Sequence, residues 1–164
     1  MKLRRYQNSA SVHIAAPIEQ VYALASDPAV VPSYAREIDR IEIVELLNEH
    51  QVLVKSYLKL VGLTFGFLYR YHYRRPLHYG GVQERSGPLR GYFSLTFRPG
   101  EGCGTTVSHI EGIFSRVPLL ARIGGFVYFR VLARGGMTEE LDRLKHLIEN
   151  HRDGQNSRSS HARL

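Results

Sequence analysis

Cysteine is nearly absent from this chain: Cys103 is the single one among 164 residues. No internal disulfide can form, which fits a reducing compartment, and a cytoplasmic location is expected. Long apolar runs are missing too. No stretch reaches the roughly 18 apolar residues that a membrane-spanning helix needs. The most apolar region, 117–132, is broken by Arg122, Gly124, Gly125 and Arg130. The basic start, Met1-Lys2-Leu3-Arg4-Arg5, leads into no apolar segment, so no signal peptide is expected. Several chemical motifs are also absent: the phosphate-cradling G-x-x-x-x-G-K-S/T loop, the H-E-x-x-H zinc helix and the G-x-S-x-G nucleophile turn. Gly100, Gly102 and Gly104 lack the spacing of a dinucleotide loop. His72 and His78 have no cysteine or carboxylate at a metal-site spacing. No cofactor and no metal are expected.

Positive charge is in excess. Lysine and arginine total 22 against 15 acidic residues, a formal charge of +7. Such a balance suits nucleic acid, anionic lipid or acidic substrates. The arginines are scattered and no nucleic-acid-reading motif accompanies them, so no specific nucleic-acid partner is expected. Peripheral contact with an anionic membrane, or with a partner protein, is one function the charge allows.

The length argues for one domain with a core of its own. Ala10, Val12 and Ile14 alternate with polar residues, the pattern of a half-buried strand. Pro17 then opens a short helix in which Ile18, Val21, Tyr22 and Ala25 share a face. Asp27-Pro28 ends it and starts a second one. From Glu37 to Phe114 the pattern is of strands separated by turns. Val52, Val54, Ser56 and Leu58 fall on one face of theirs. Phe65, Phe67, Tyr69, Tyr71 and Tyr73 form an aromatic row opposite Arg70, His72 and Arg74. From Pro118 the chain reads as helix, with Leu120, Ile123, Val127, Val131, Leu141, Leu144 and Ile148 as its apolar stripe. The predicted fold is α+β: a curved antiparallel sheet of about seven strands wrapped on a long C-terminal helix, with two short helices after the first strand. Residues 1–8 read as an extension, 9–149 as the domain, and 150–164 as a disordered polar tail.

Two segments carry a resemblance. The run from Val12 to Pro28, with its strand, Ala16-Pro17, amphipathic helix and Asp27-Pro28, followed by Val31-Pro32-Ser33-Tyr34, is one. The helix from Arg134-Gly135-Gly136-Met137 through Leu141, Leu144 and Glu149 is the other. Together they resemble the START-like (SRPBCC) superfamily of polyketide cyclases, coenzyme-Q-binding proteins and birch-pollen-allergen-like proteins. Tyr34 stands where the family commonly has tryptophan. The resemblance implies a helix-grip fold around an internal cavity. It implies binding or transport of a hydrophobic small molecule (lipid, isoprenoid or polyketide-like). The alternative it implies is a cyclase, aromatase or dehydratase, and members include both carriers and enzymes.

The candidate ligand-binding residues are Tyr34, Phe67, Tyr69, Tyr71, Tyr73, Phe93, Phe126, Phe129 and Arg130. The alternation leaves open which face of that strand is inward, and ordinary packing between sheet and helix would also use such a row, but the opposite choice would bury Arg70, His72 and Arg74 unpaired, which is costly. For catalysis the candidates are His109 and Glu111, two apart on one strand face, with Tyr71. The alternative for that strand points Ile110 and Phe114 inward and leaves His109 and Glu111 in water. Convergence of Tyr71, His109 and Glu111 in one cavity favours an enzyme; a purely apolar cavity favours a carrier.

Overall fold

The computed structural model describes residues 4–60, 62–84, 87–115, 117–127 and 136–161. The chain order is β1 (Arg4–Ile14), α1 (Ile18–Ala25), α2 (Val31–Tyr34), β2 (Ile38–Asn48), β3 (Gln51–Leu60), β4 (Leu63–Arg74), β5 (His78–Gln83), β6 (Leu89–Pro99), β7 (Thr105–Ser115), α3 (Pro118–Val127) and α4 (Gly136–His161). The strands form one seven-stranded sheet, in the order β1-β7-β6-β5-β4-β3-β2. Every neighbouring pair is antiparallel, as short connections between successive strands require. Irregularities in β2 at Ile38/Arg40, Ile43/Glu45 and Leu46/Asn48 add local twist and bend that edge.

The aromatic row of β4 faces inward at its centre, where Tyr71 is buried and Phe67, Tyr69 and Tyr73 half-buried while Arg70 and Arg74 are exposed; Phe65, at the start of the row, is exposed. Helix α4 lies against the concave face through Met137, Leu141, Leu144 and Ile148, all buried at helical spacing. Burying each such aliphatic side chain contributes about 1.5–3 kcal/mol. The Glu149 carboxylate accepts a 3.0 Å hydrogen bond from the Ala15 amide, tying α4 to the end of β1. Helices α1 and α2 bridge from one sheet edge to the other.

Four details differ from the sequence reading. Strand β1 starts at Arg4, because β7 extends to Ser115 and offers partners to residues 4–8. Within the described residues the C-terminal helical stretch comprises two helices, α3 and α4, and 128–135 between them lies outside those residues. Ile123 and Val127, expected in the buried stripe, are exposed, because α3 presents Gly124 to the sheet instead. Val131 lies outside the described residues. Helix α4 also continues to His161, through part of the stretch that reads as a polar tail.

Candidate functional site

The register builds the site strand by strand. Tyr71 of β4 sits opposite Gly81, Gly81 opposite Phe93, and Phe93 opposite Glu111. Two positions along, on the same face, Tyr79 sits opposite Leu95 and Leu95 opposite His109. Gly81 has no side chain, so the Tyr71 and Phe93 rings close over it edge to face, with centroids 5.2 Å apart. Tyr79 packs against both, at 5.4 Å from Tyr71 and 5.3 Å from Phe93.

These residues line a cavity of about 60 Å³ between the sheet, α2 and the first turn of α4. Tyr71, His109 and Glu111 all line it, with Tyr34, Tyr69 and Phe93. Ser56 bonds the Tyr71 hydroxyl at 2.9 Å. Burial pushes the Tyr71 phenol up to about 12 and the Tyr69 and Tyr79 phenols upward as well, so all three stay protonated donors. The Tyr34 hydroxyl is already committed, donating to the Ala25 carbonyl at 2.6 Å. Its own carbonyl accepts from Arg143 Nε at 2.7 Å.

The sequence reading missed Glu140, which enters the cavity from α4 and is 5% exposed. Its Oε1 lies 3.6 Å from Nδ1 of His109, itself 4% exposed. Neither ring nitrogen of His109 has a hydrogen-bond partner among the described residues. Burial lowers the imidazole to about 4. Burial, and then the neighbouring Glu37 and Glu111 carboxylates, raise Glu140 well above the usual carboxylate range. Burial thus favours the uncharged form of both partners, a base beside an acid. An ion pair would strip two charges of water at a separation too long for a hydrogen bond. Glu37 also lines the cavity.

The remaining candidates are placed apart from this centre. Phe67 lines an adjoining cavity of about 120 Å³, which shares Leu58, Tyr69, Phe93 and Glu111 with the first. Tyr73 stacks on Tyr79 at 5.3 Å and faces an open groove beside α1. Phe126 is 55% exposed on α3 and lines neither cavity, because Leu120 and Gly124 occupy the helix's inward side. Phe129 and Arg130 lie outside the described residues. Among the described residues no group of His, Cys, Asp and Glu is placed to hold a metal ion.

A seven-stranded antiparallel sheet gripping a long helix, with a cavity between them, defines a helix-grip protein of the START-like class. The chain belongs to the polyketide cyclase / dehydrase and lipid transport family, whose model matches residues 7–149. The Zhui aromatase/cyclase from Streptomyces sp. R1128 has a similar structure, with TM-score 0.71 and 14% identity over 89% of this chain and 94% of that one. A protein from Thermus thermophilus has TM-score 0.69 and 21% identity, covering 89% of this chain and 99% of its own. A START superfamily protein from Mycobacterium smegmatis has TM-score 0.67 and 14% identity, covering 88% and 97% respectively. At these identities the likeness is one of fold. No curated protein matches the chain closely enough to count as a relative.

Proposed function

We propose that the cavity performs acid–base chemistry on a hydrophobic, polyketide-like carbonyl compound, removing water from a β-hydroxy ketone in the manner of a cyclase or dehydratase. The observation that carries this reading is the contact of His109 with Glu140, two buried groups of which the imidazole has no hydrogen-bond partner among the described residues. A neutral imidazole offers one lone pair, which takes the proton beside the substrate carbonyl. Glu140 gives its proton to the departing hydroxyl, which leaves as water. The imidazolium and carboxylate so formed attract each other strongly in a cavity of low polarity. That attraction offsets the weakness of a base held near 4. Return of the proton across the 3.6 Å gap resets both groups. Tyr71 and Tyr69 supply hydroxyl donors on the wall, suited to a carbonyl oxygen.

A second reading, binding or carriage without turnover, is favoured by the apolar lining of Val31, Leu58, Phe93 and Leu95. That lining holds an apolar molecule whether or not His109 reacts with it.

Incubation with a β-hydroxy aryl ketone, followed by the absorbance of the conjugated product, separates the two. Wild type is expected to form enone, and His109→Ala and Glu140→Gln to lose about 100-fold or more in kcat with binding retained. Binding without enone formation, or unchanged rates in both variants, leaves only the carrier reading.

A further inference from the structure

Helix α3 carries an apolar face that none of the described residues covers. Leu119 is 64% exposed, Ile123 50% and Phe126 55%. They recur at i, i+4 and i+7, which at 3.6 residues per turn sets them in one row. Val117 and Val127 extend the same patch. The opposite side of the helix is the packed one: a Cβ at Gly124 would come 2.8 Å from Cδ1 of Leu89. The row is therefore not a core stripe that has slipped outward. The core contact of α3 is already made, against β1, β6 and β7.

The charge along this segment of the chain has one sign. Arg122, exposed, flanks the row one residue before Ile123. The register of β1 sets Arg4 opposite Ser115, near the start of α3. The sequence holds no Asp or Glu between Glu111 and Glu139. An apolar row edged by Arg122, in a segment whose sequence holds no carboxylate, matches the layering of an anionic bilayer surface, hydrocarbon beneath phosphate. The face of one ten-residue helix is small for a stable protein interface, whereas a bilayer accommodates each inserted side chain separately.

We infer that α3 docks the protein peripherally on an anionic membrane, inserting Leu119, Ile123 and Phe126 with Arg122 at the headgroups. Among the described residues no helix is long and apolar enough to cross a membrane, so the contact is one of the surface. Leu89, beneath α3, lines the adjoining cavity that shares Tyr69, Phe93 and Glu111 with the His109 site. Docking through α3 thus sets the far end of the binding space next to the lipid, a source of apolar ligands. The inference stands independently of the chemistry proposed for His109 and Glu140.

Flotation of the full chain with vesicles tests it. The expected result is co-flotation with vesicles of phosphatidylcholine and phosphatidylglycerol, weaker at high salt, and little with phosphatidylcholine alone. The double variant I123D/F126D should lose at least about tenfold in vesicle affinity while its melting temperature holds, since both side chains are exposed. Arg122→Glu gives a second test: weaker binding to the anionic vesicles. Absence of wild-type flotation, or wild-type affinity in both variants, overturns the inference. So does a wild-type dimer that I123D/F126D converts to monomer, which would assign the face to a second copy of the chain.

Discussion

His109 and Glu140 set the terms at the residue scale. Each is held neutral by the same burial, and the two act on stability in opposite directions with pH. Unfolded histidine takes a proton near 6.5 and folded His109 only near 4. Its contribution is thus fully present above 6.5 and is lost as pH falls toward 4. Glu140 is shifted upward, so its contribution is present below 4.5 and is lost as pH rises through its raised value. Glu140→Gln keeps the shape and removes the proton-binding group. Its stability relative to wild type should be level near pH 4 and then rise with pH by up to about 1.4 kcal/mol per unit across that window. Thermal melts of both proteins from pH 4 to neutrality would show this. Curves that stay parallel would mean that Glu140 is ionised in the folded protein.

At the scale of the element, the cavity wall depends on β5 having no side chain where β4 and β6 converge. A Cβ at Gly81 would lie 2.5 Å from Cε1 of Phe93 and 2.6 Å from Cδ1 of Tyr71. Gly81→Ala should force both rings outward and cost about 1–3 kcal/mol, as overpacking does. Urea denaturation would measure the loss, and ligand affinity should fall with it; full stability would show that the rings yield freely. The aromatic row of β4 was legible in sequence because its other face carries Arg70, His72 and Arg74. Strand β7 was ambiguous, since Val107 and Ile113 on one face compete with Ile110 and Phe114 on the other. Packing against α4 resolves it: Val107 and His109 are buried. Glu140 was hidden by its neighbour. Thr138-Glu139-Glu140 reads as the solvated first turn of a helix, where carboxylates are common. The one signal was spacing, since Glu140 falls on the row of Met137, Leu144 and Ile148 that turns out to be buried.

For the whole molecule, the sheet, the two short helices and the closing helix were readable from alternation, proline placement and helical spacing. The separation of the last helical stretch into α3 and α4 was not, because glycines at 124, 125, 135 and 136 are compatible with a bend or a break. Nor was the outward face of α3, since an apolar residue at helical spacing looks the same over a core as over a membrane. The site itself belongs to no single segment. Tyr34 comes from α2, Ser56 and Tyr71 from neighbouring strands, His109 from β7 and Glu140 from α4. Only the closed fold excludes the water that would otherwise return both groups to their ordinary proton affinities. The protonation of His109 therefore reports on the whole enclosure, without a substrate in hand. The most direct measurement is an NMR titration of the His109 ring, assigned through His109→Gln. A ring that remains neutral through pH 6.5 and titrates only near 4 is the predicted result. A ring that titrates near 6.5, or is already charged at neutral pH against an ionised Glu140, would contradict the neutral acid–base pair on which the proposed chemistry rests.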